Sequence, residues 1–210
     1  MPDANERIER ALLRFGIRLE PAKVQELATY FALLARWNTR MNLTAFDEGD
    51  AALERLIIEP VIAAGSIDAD ARTLVDVGSG GGSPAGPLKV VRPDVSLTMV
   101  EVKSRKAVFL REVVRHLGWQ DARVENDRFE EVLKRAGRHR SFDVLSMRAV
   151  RAGEQELRLF ANALKPGGQL LWFLSSAQEV ADLPAALHVE REVPLVSSLS
   201  SRLLVIRKTK

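Results

Sequence analysis

The segment Thr73–Pro84, TLVDVGSGGGSP, constrains this chain more than any other stretch. Its apolar opening, Thr73 to Val77, reads as a buried strand. It then breaks into glycine at 78, 80, 81 and 82, residues that tolerate positive φ and let a ligand approach the backbone. Pro84 and Pro87 suit the first turn of a helix. Strand, glycine turn and helix start together predict a nucleotide-type cradle whose backbone N–H groups face a ligand. A dinucleotide fingerprint of the form Gly-x-Gly-x-x-Gly would need glycine where Ser83 stands. The spacing present is Asp-x-Gly-x-Gly-x-Gly, from Asp76 through Gly78 and Gly80 to Gly82.

The rest of the chain narrows the class. Its 210 residues suffice for one sizeable domain with a small appendage. There is no cysteine, which removes disulfides and thiolate metal sites. His116, His139 and His188 lie far apart and suggest no metal cluster. No apolar run approaches the roughly 20 residues of a membrane span. The polar start Met1-Pro-Asp-Ala-Asn-Glu-Arg is unlike a signal peptide. A cytoplasmic protein acting as a monomer is expected. The formal net charge of +3 is compatible with a polyanionic partner without requiring one.

Residues 1–66 read as a helical region. Ile8, Ala11, Leu12 and Phe15 recur at helical spacing before Gly16. Pro21 opens a second helix with Val24, Leu27, Ala28, Phe31, Leu34 and Ala35 on one face, and Asn42-Leu-Thr44 reads as its stop. A third starts near Glu48 to Asp50 and carries Leu53, Leu56, Ile57, Val61 and Ile62, with Pro60 imposing a kink or break. Residues 67–210 alternate strand and helix, the mark of a parallel sheet with crossover helices, packed with the helical region as one unit. Strands are expected at Thr73–Val77, Ser96–Val102, Ala122–Glu125, Phe142–Ser146 and Gln169–Leu174. Helices are expected at Pro84–Val91, Ser104–Leu117, Glu130–Ala136, Gly153–Leu164 and, briefly, Ala177–Ala186. Leu187–Val196 and Ser201–Arg207 are expected to close the sheet edge as an antiparallel hairpin.

In such a sheet, ligands bind beyond the carboxyl ends of the strands. The first strand ends in Asp76 and the glycine loop. The second ends in Glu101, placed about 20 residues after the glycines to accept hydrogen bonds from ribose hydroxyls. The third leads to Phe129 and Glu130, an apolar face and a polar edge suited to adenine. The fourth leads to Arg148, whose fork of donors suits a carboxylate, a phosphate or a guanine edge. Two basic clusters could hold phosphates: Lys103, Arg105, Lys106, Arg111 and Arg115, and Lys134, Arg135, Arg138, His139 and Arg140.

The Asp-x-Gly-x-Gly-x-Gly loop has the form of the first motif of S-adenosylmethionine-dependent methyltransferases. From about Phe31 to Gly168 the chain resembles the bacterial 16S ribosomal RNA guanine-N7 methyltransferases, also called glucose-inhibited division protein B. The resemblance is carried by Trp37-Asn-Thr-Arg-Met-Asn-Leu-Thr44, the loop from Asp76 to Leu88, Lys106-Ala-Val-Phe-Leu110, Arg128-Phe-Glu-Glu131 and Arg148-Ala-Val150. It implies a class I methyltransferase fold: a Rossmann-like, mostly parallel seven-stranded sheet with an antiparallel C-terminal hairpin and an N-terminal helical extension. It implies S-adenosylmethionine as cofactor, held by Asp76, Gly78, Gly80, Ser83, Glu101, Phe129, Glu130 and Arg148. Arg148 is implied as the catalytic residue against cofactor or target base. Arg55, Lys103, Arg105 and Lys106 are implied as contacts to 16S ribosomal RNA or a small-subunit assembly intermediate. The chain departs from the family pattern at Arg55-Leu56-Ile-Ile-Glu59-Pro60, where Arg-His-x-x-Asp-Ser is usual, and at Leu174-Ser175, where Lys-Gly is usual. A methyltransferase of the same fold acting on a small molecule or protein, and a non-catalytic ribosome-binding relative, are the alternatives.

Overall fold

Apolar residues occupy successive positions along the central strands, so both faces of the sheet must be covered. In the computed structural model, which describes residues 4–41, 43, 49–137, 142–180 and 182–209, that is the arrangement. The strands are β1 (Thr73–Val77), β2 (Ser96–Val100), β3 (Ala122–Glu125), β4 (Phe142–Arg148), β5 (Leu164–Ser175), β6 (Leu187–Pro194) and β7 (Ser201–Lys208). Their order is β3-β2-β1-β4-β5-β7-β6. β1 to β5 pair in parallel, and β7 runs antiparallel between β5 and β6.

Leu74, Leu97, Met99, Val144, Leu171 and Phe173 face one core, and their neighbours Val75, Val100, Leu145, Leu170 and Trp172 face the other. The first core is closed by α1 (Ala4–Arg14), α2 (Pro21–Met41), α3 (Asp50–Leu53), α4 (Glu59–Ala64), α5 (Ala85–Val91) and α6 (Ser104–His116). The second is closed by α7 (Phe129–Gly137) and α8 (Glu154–Ala163). Residues of the helical region and of the sheet thus share one core, as Leu12, Leu27, Ile57, Leu74 and Val205 illustrate.

Some elements differ from their sequence-based limits. β2 ends at Val100, leaving Glu101 and Val102 beyond the strand. β4 extends to Arg148 and β5 starts at Leu164, with Lys165-Pro-Gly-Gly168 inside it as an irregularity opposite Phe142 and Val144. No helix forms at 177–186 among the described residues. Pro184 interrupts that segment, and the Gln178 and Pro184 carbonyls accept from the Arg202 guanidinium and the Leu187 N–H. The stop at Asn42 and Thr44, Glu48, and Arg138, His139 and Arg140 of the second basic cluster lie outside the described residues.

Lys89, at 5% exposure, is buried yet satisfied. Its ammonium donates to the carbonyls of Pro93 and Val95 and to Asp121, each at 2.8 Å. Replacing it leaves two carbonyls unpaired next to half-exposed Asp121. Lys89→Met is predicted to cost about 2 kcal/mol in urea unfolding. Asp121→Asn, on the exposed side of the pair, should cost under about 1 kcal/mol.

Candidate active site

The order of neighbours reverses at β1, with β2 on one side and β4 on the other, so the loops after β1 and β4 part and leave a crevice at their carboxyl ends. The β1 loop enters it with Gly78 at φ 70° and Gly80 at φ 54°, in the left-handed region that favours glycine. A Cβ on Gly78 would lie 2.7 Å from Val150 Cγ2. Below the loop, the buried Tyr30 hydroxyl donates to the Gly81 carbonyl at 2.7 Å, and burial pushes its pKa well above the ordinary range, so it stays protonated.

Four of the loop amides are taken within the protein, where the cradle expectation has them facing a ligand. The N–H groups of Gly78 and Ser79 donate to the Val100 carbonyl, that of Gly82 to Ser79, and that of Gly80 to Glu101 Oε2 at 2.8 Å. The other oxygen of Glu101 accepts the Lys103 N–H at 2.8 Å. The acid that follows β2 therefore closes the glycine loop. With these four amides engaged, the loop contributes room more than donors, which suits a ligand without a pyrophosphate. A carboxylate has about four lone-pair positions, so two on Glu101 remain for further donors.

Two cavities meet at Gly78 and Glu101. One, of about 390 Å³, is lined by Val100, Val102, Asp127, Arg128, Phe129 and Glu130 besides those two. Exposed Val102 and half-buried Phe129 offer it two apolar faces, and Phe129 is steadied by Phe160 at 5.9 Å between ring centroids. Asn126, missed from sequence, donates to the carbonyls of Glu101 and Val102 and ties this wall together. The second cavity, of about 330 Å³, is lined among others by Arg55, Leu56, Gly80, Ser83, Lys103, Lys106, Arg148 and Ala149.

Of the residues expected from sequence, Gly78, Gly80, Ser83, Glu101, Phe129, Glu130, Arg148, Arg55, Lys103 and Lys106 come together around these two spaces. Asp76 and Arg105 line neither. Arg105 is exposed on α6. Asp76 is buried beneath the loop and accepts from the Ser146 hydroxyl at 2.6 Å through one oxygen, while the other has no partner. Burial pushes its carboxyl from 3.8 up to about 6, against the hydrogen bond of Ser146 and the charge of Arg148, while the Ser79 hydroxyl donates to the Asp76 main-chain carbonyl. The sequence reading aims Arg148 at the cleft mouth. In the structure it lies in the wall, with its side chain 8% exposed and Nη2 2.9 Å from Glu59 Oε2. Its Nη1 donates to the Arg55 carbonyl, and its guanidinium carbon stands 4.5 Å from the Phe173 ring centroid. Its Nε has no hydrogen-bond partner. Burial pushes it down to about 10, so it stays charged at neutral pH with Glu59 opposing the shift. Ala149 beside it has φ 56°, a conformation that costs a residue with a Cβ about 1 kcal/mol or more. Neither the Ala149 backbone nor the burial of Glu59 has a local sequence signal.

Among the described residues, no cluster of three or more His, Asp or Glu is placed to hold a metal ion, and no helix is long and apolar enough to cross a membrane.

Two predictions follow from this geometry. Gly78→Ala meets both a left-handed backbone and a 2.7 Å approach to Val150, and should destabilise the protein by about 2 kcal/mol in urea unfolding. For Asp76 the folded value exceeds the unfolded one, so the native state binds more protons, and its contribution to stability is lost as pH rises through about 4 to 6. Asp76→Asn, which cannot ionise, should therefore gain on the parent protein by roughly 2 kcal/mol between about pH 4 and about pH 7.

The chain matches the family model described as rRNA small subunit methyltransferase G over residues 23–203. It is 37% identical over 195 residues to the ribosomal RNA small subunit methyltransferase G of Stenotrophomonas maltophilia strain K279a, covering 90% of this chain and 86% of that protein. It is 36% identical to the protein of the same name from Xanthomonas euvesicatoria, over 99% of this chain and 96% of the other. Its fold resembles that of a putative O-methyltransferase from Klebsiella pneumoniae, with TM-score 0.65 and 15% identity over 97% of this chain and 96% of the other.

Proposed function

The chain belongs to the rRNA small subunit methyltransferase G family, and on that footing we propose that it transfers a methyl group from S-adenosylmethionine to N7 of a guanine in 16S ribosomal RNA, acting as a monomer in the cytoplasm. The observation that carries the reading is the pair of cavities joined at Glu101. One is apolar-faced and sized for a nucleoside; the other has basic residues at its wall and rim. The residues present fit the cofactor: Gly78 leaves room where any Cβ would collide, and Glu101 keeps lone pairs for two ribose hydroxyls. Val102 and Phe129 would flank the adenine, with Glu130 at its polar edge. When bound, the cofactor supplies an electrophilic methyl group on a sulfonium centre.

Guanine N7 carries a lone pair and no proton, so the chain need supply no general base. That matches a cavity wall whose carboxylates are already engaged, Glu101 by the Gly80 and Lys103 N–H groups, Asp127 by Arg135 and Glu130 by Arg128. The contribution of the protein is orientation, holding the target ring in line with the methyl group while water is kept out. Arg55, Lys103 and Lys106 at the second cavity, with Arg105 outside it, would take RNA phosphates. Lys106 Nζ already donates to the Leu43 carbonyl at 3.1 Å and so ties α6 to the helical region. The target base would be unpaired or extruded to reach the cavity.

Glu101→Gln should weaken S-adenosylmethionine binding in calorimetry by about 10- to 100-fold, since it exchanges a charged acceptor for an amide. Mass spectrometry of 16S RNA from cells with and without the gene tests the reaction itself. Loss of one 7-methylguanosine is expected; an unchanged methylation pattern would refute the assignment.

A further inference from the structure

The helical stretch that carries Arg55 and Glu59 contains a defect with an identifiable origin. Pro60 has no N–H, so the carbonyl one turn back has no backbone donor from it. In α register that carbonyl is Leu56. In the wider π register, adopted by Glu54–Ile58 with the Glu59 N–H bonded to Glu54, it is Arg55. Both carbonyls receive side chains that line the second cavity. Ser83 Oγ donates to Leu56 at 2.9 Å, and Arg148 Nη1 donates to Arg55. Glu59, wholly buried, lies between the guanidinium groups of Arg55 at 3.3 Å and Arg148 at 2.9 Å. The next residue after Arg148 is Ala149, whose left-handed backbone forms part of the cavity wall. After it, Val150 seals against Gly78.

We propose that Pro60, Glu59 and Arg148 form a clamp that holds the Ala149 wall of the cavity in place, with Pro60 and Glu59 as positioning residues. A strained residue persists only where its surroundings over-determine it. Here the surroundings are an ion pair on one side, a packed valine on the other and the Phe173 ring beneath. A buried ion pair adds little stability over an apolar replacement, so its use at this place is geometric. Pro60 makes the clamp possible by leaving open the carbonyl that Arg148 takes. The consequence for catalysis rests on the methyl-transfer reading above; the clamp itself rests on the geometry alone.

The test uses the ¹⁵N-labelled full chain without cofactor, with the Ala149 amide resonance identified through Ala149→Gly. Pro60→Ala restores an N–H, and Glu59→Gln removes the charge. Each is expected to move the Ala149 resonance by several line widths. Glu59→Asp keeps the charge, shifts it less, and serves if another variant fails to fold. Lys89→Met, destabilised at a remote site, should leave that resonance in place. In the cofactor-loaded enzyme, Pro60→Ala should lower kcat roughly tenfold while the S-adenosylmethionine Kd stays within about threefold, the signature of misplacement rather than lost binding. Folded Pro60→Ala and Glu59→Gln with an unmoved Ala149 resonance would overturn the clamp. Moved resonances in a chain whose parent form binds no S-adenosylmethionine would keep the clamp and remove the methyl-transfer reading.

Discussion

The carboxylate of Glu101 is the contact on which the site depends. It gathers the N–H of Gly80 from the loop after β1 and that of Lys103 from the start of α6. This bridge is possible only because β1 and β2 are adjacent and parallel, with Val77 level with Val100, so that both strands release their chains at the same height. It also requires Gly78 and Gly80 to adopt positive φ, since the loop must turn back towards β2. The same carboxylate lines both cavities, so the group that shapes the loop is the group a ribose would meet. On the proposed reading, ligand recognition and loop closure would be one interaction.

Around that bridge, the two halves of the chain have different tasks. The sheet sets the spacing of the strand ends, and its two apolar faces fix which residues emerge above it. The N-terminal helices supply the roof and floor of the site. Tyr30 props the loop from below, and the Arg55–Glu59 segment reaches across to Ser83 and Arg148. Removing the helical region would uncover the first core and leave Arg148 as a buried charge without its partner.

The parts legible in the sequence were those governed by local signals. β1 and β3 have the limits their residue patterns predict, and α5, α6 and α8 begin or end within a residue of theirs. Glu101 was legible because a fixed spacing after a glycine loop puts an acid at the next strand end. What was not legible depends on contacts distant in sequence. The glycine-loop amides turn inward because Val100 and Glu101, more than 20 residues on, take them. The expected helix at 177–186 has helical composition but lies where Arg202 and Leu187 claim its carbonyls. Pro60 signalled a break, yet which partners would take the freed carbonyls depended on Ser83 and Arg148. Glu59, read as a departure from a family pattern, became a fully buried charge only once β4 was placed opposite it.

The central claim is that the joined cavities at Glu101 receive an adenosyl sulfonium. A crystal structure of the protein grown with S-adenosylmethionine tests it most directly. The account predicts density for the adenine between Val102 and Phe129, with the ribose hydroxyls on Glu101 and the sulfonium end towards Ala149. Density for the compound elsewhere, or cavities filled by side chains at saturating cofactor, would contradict it.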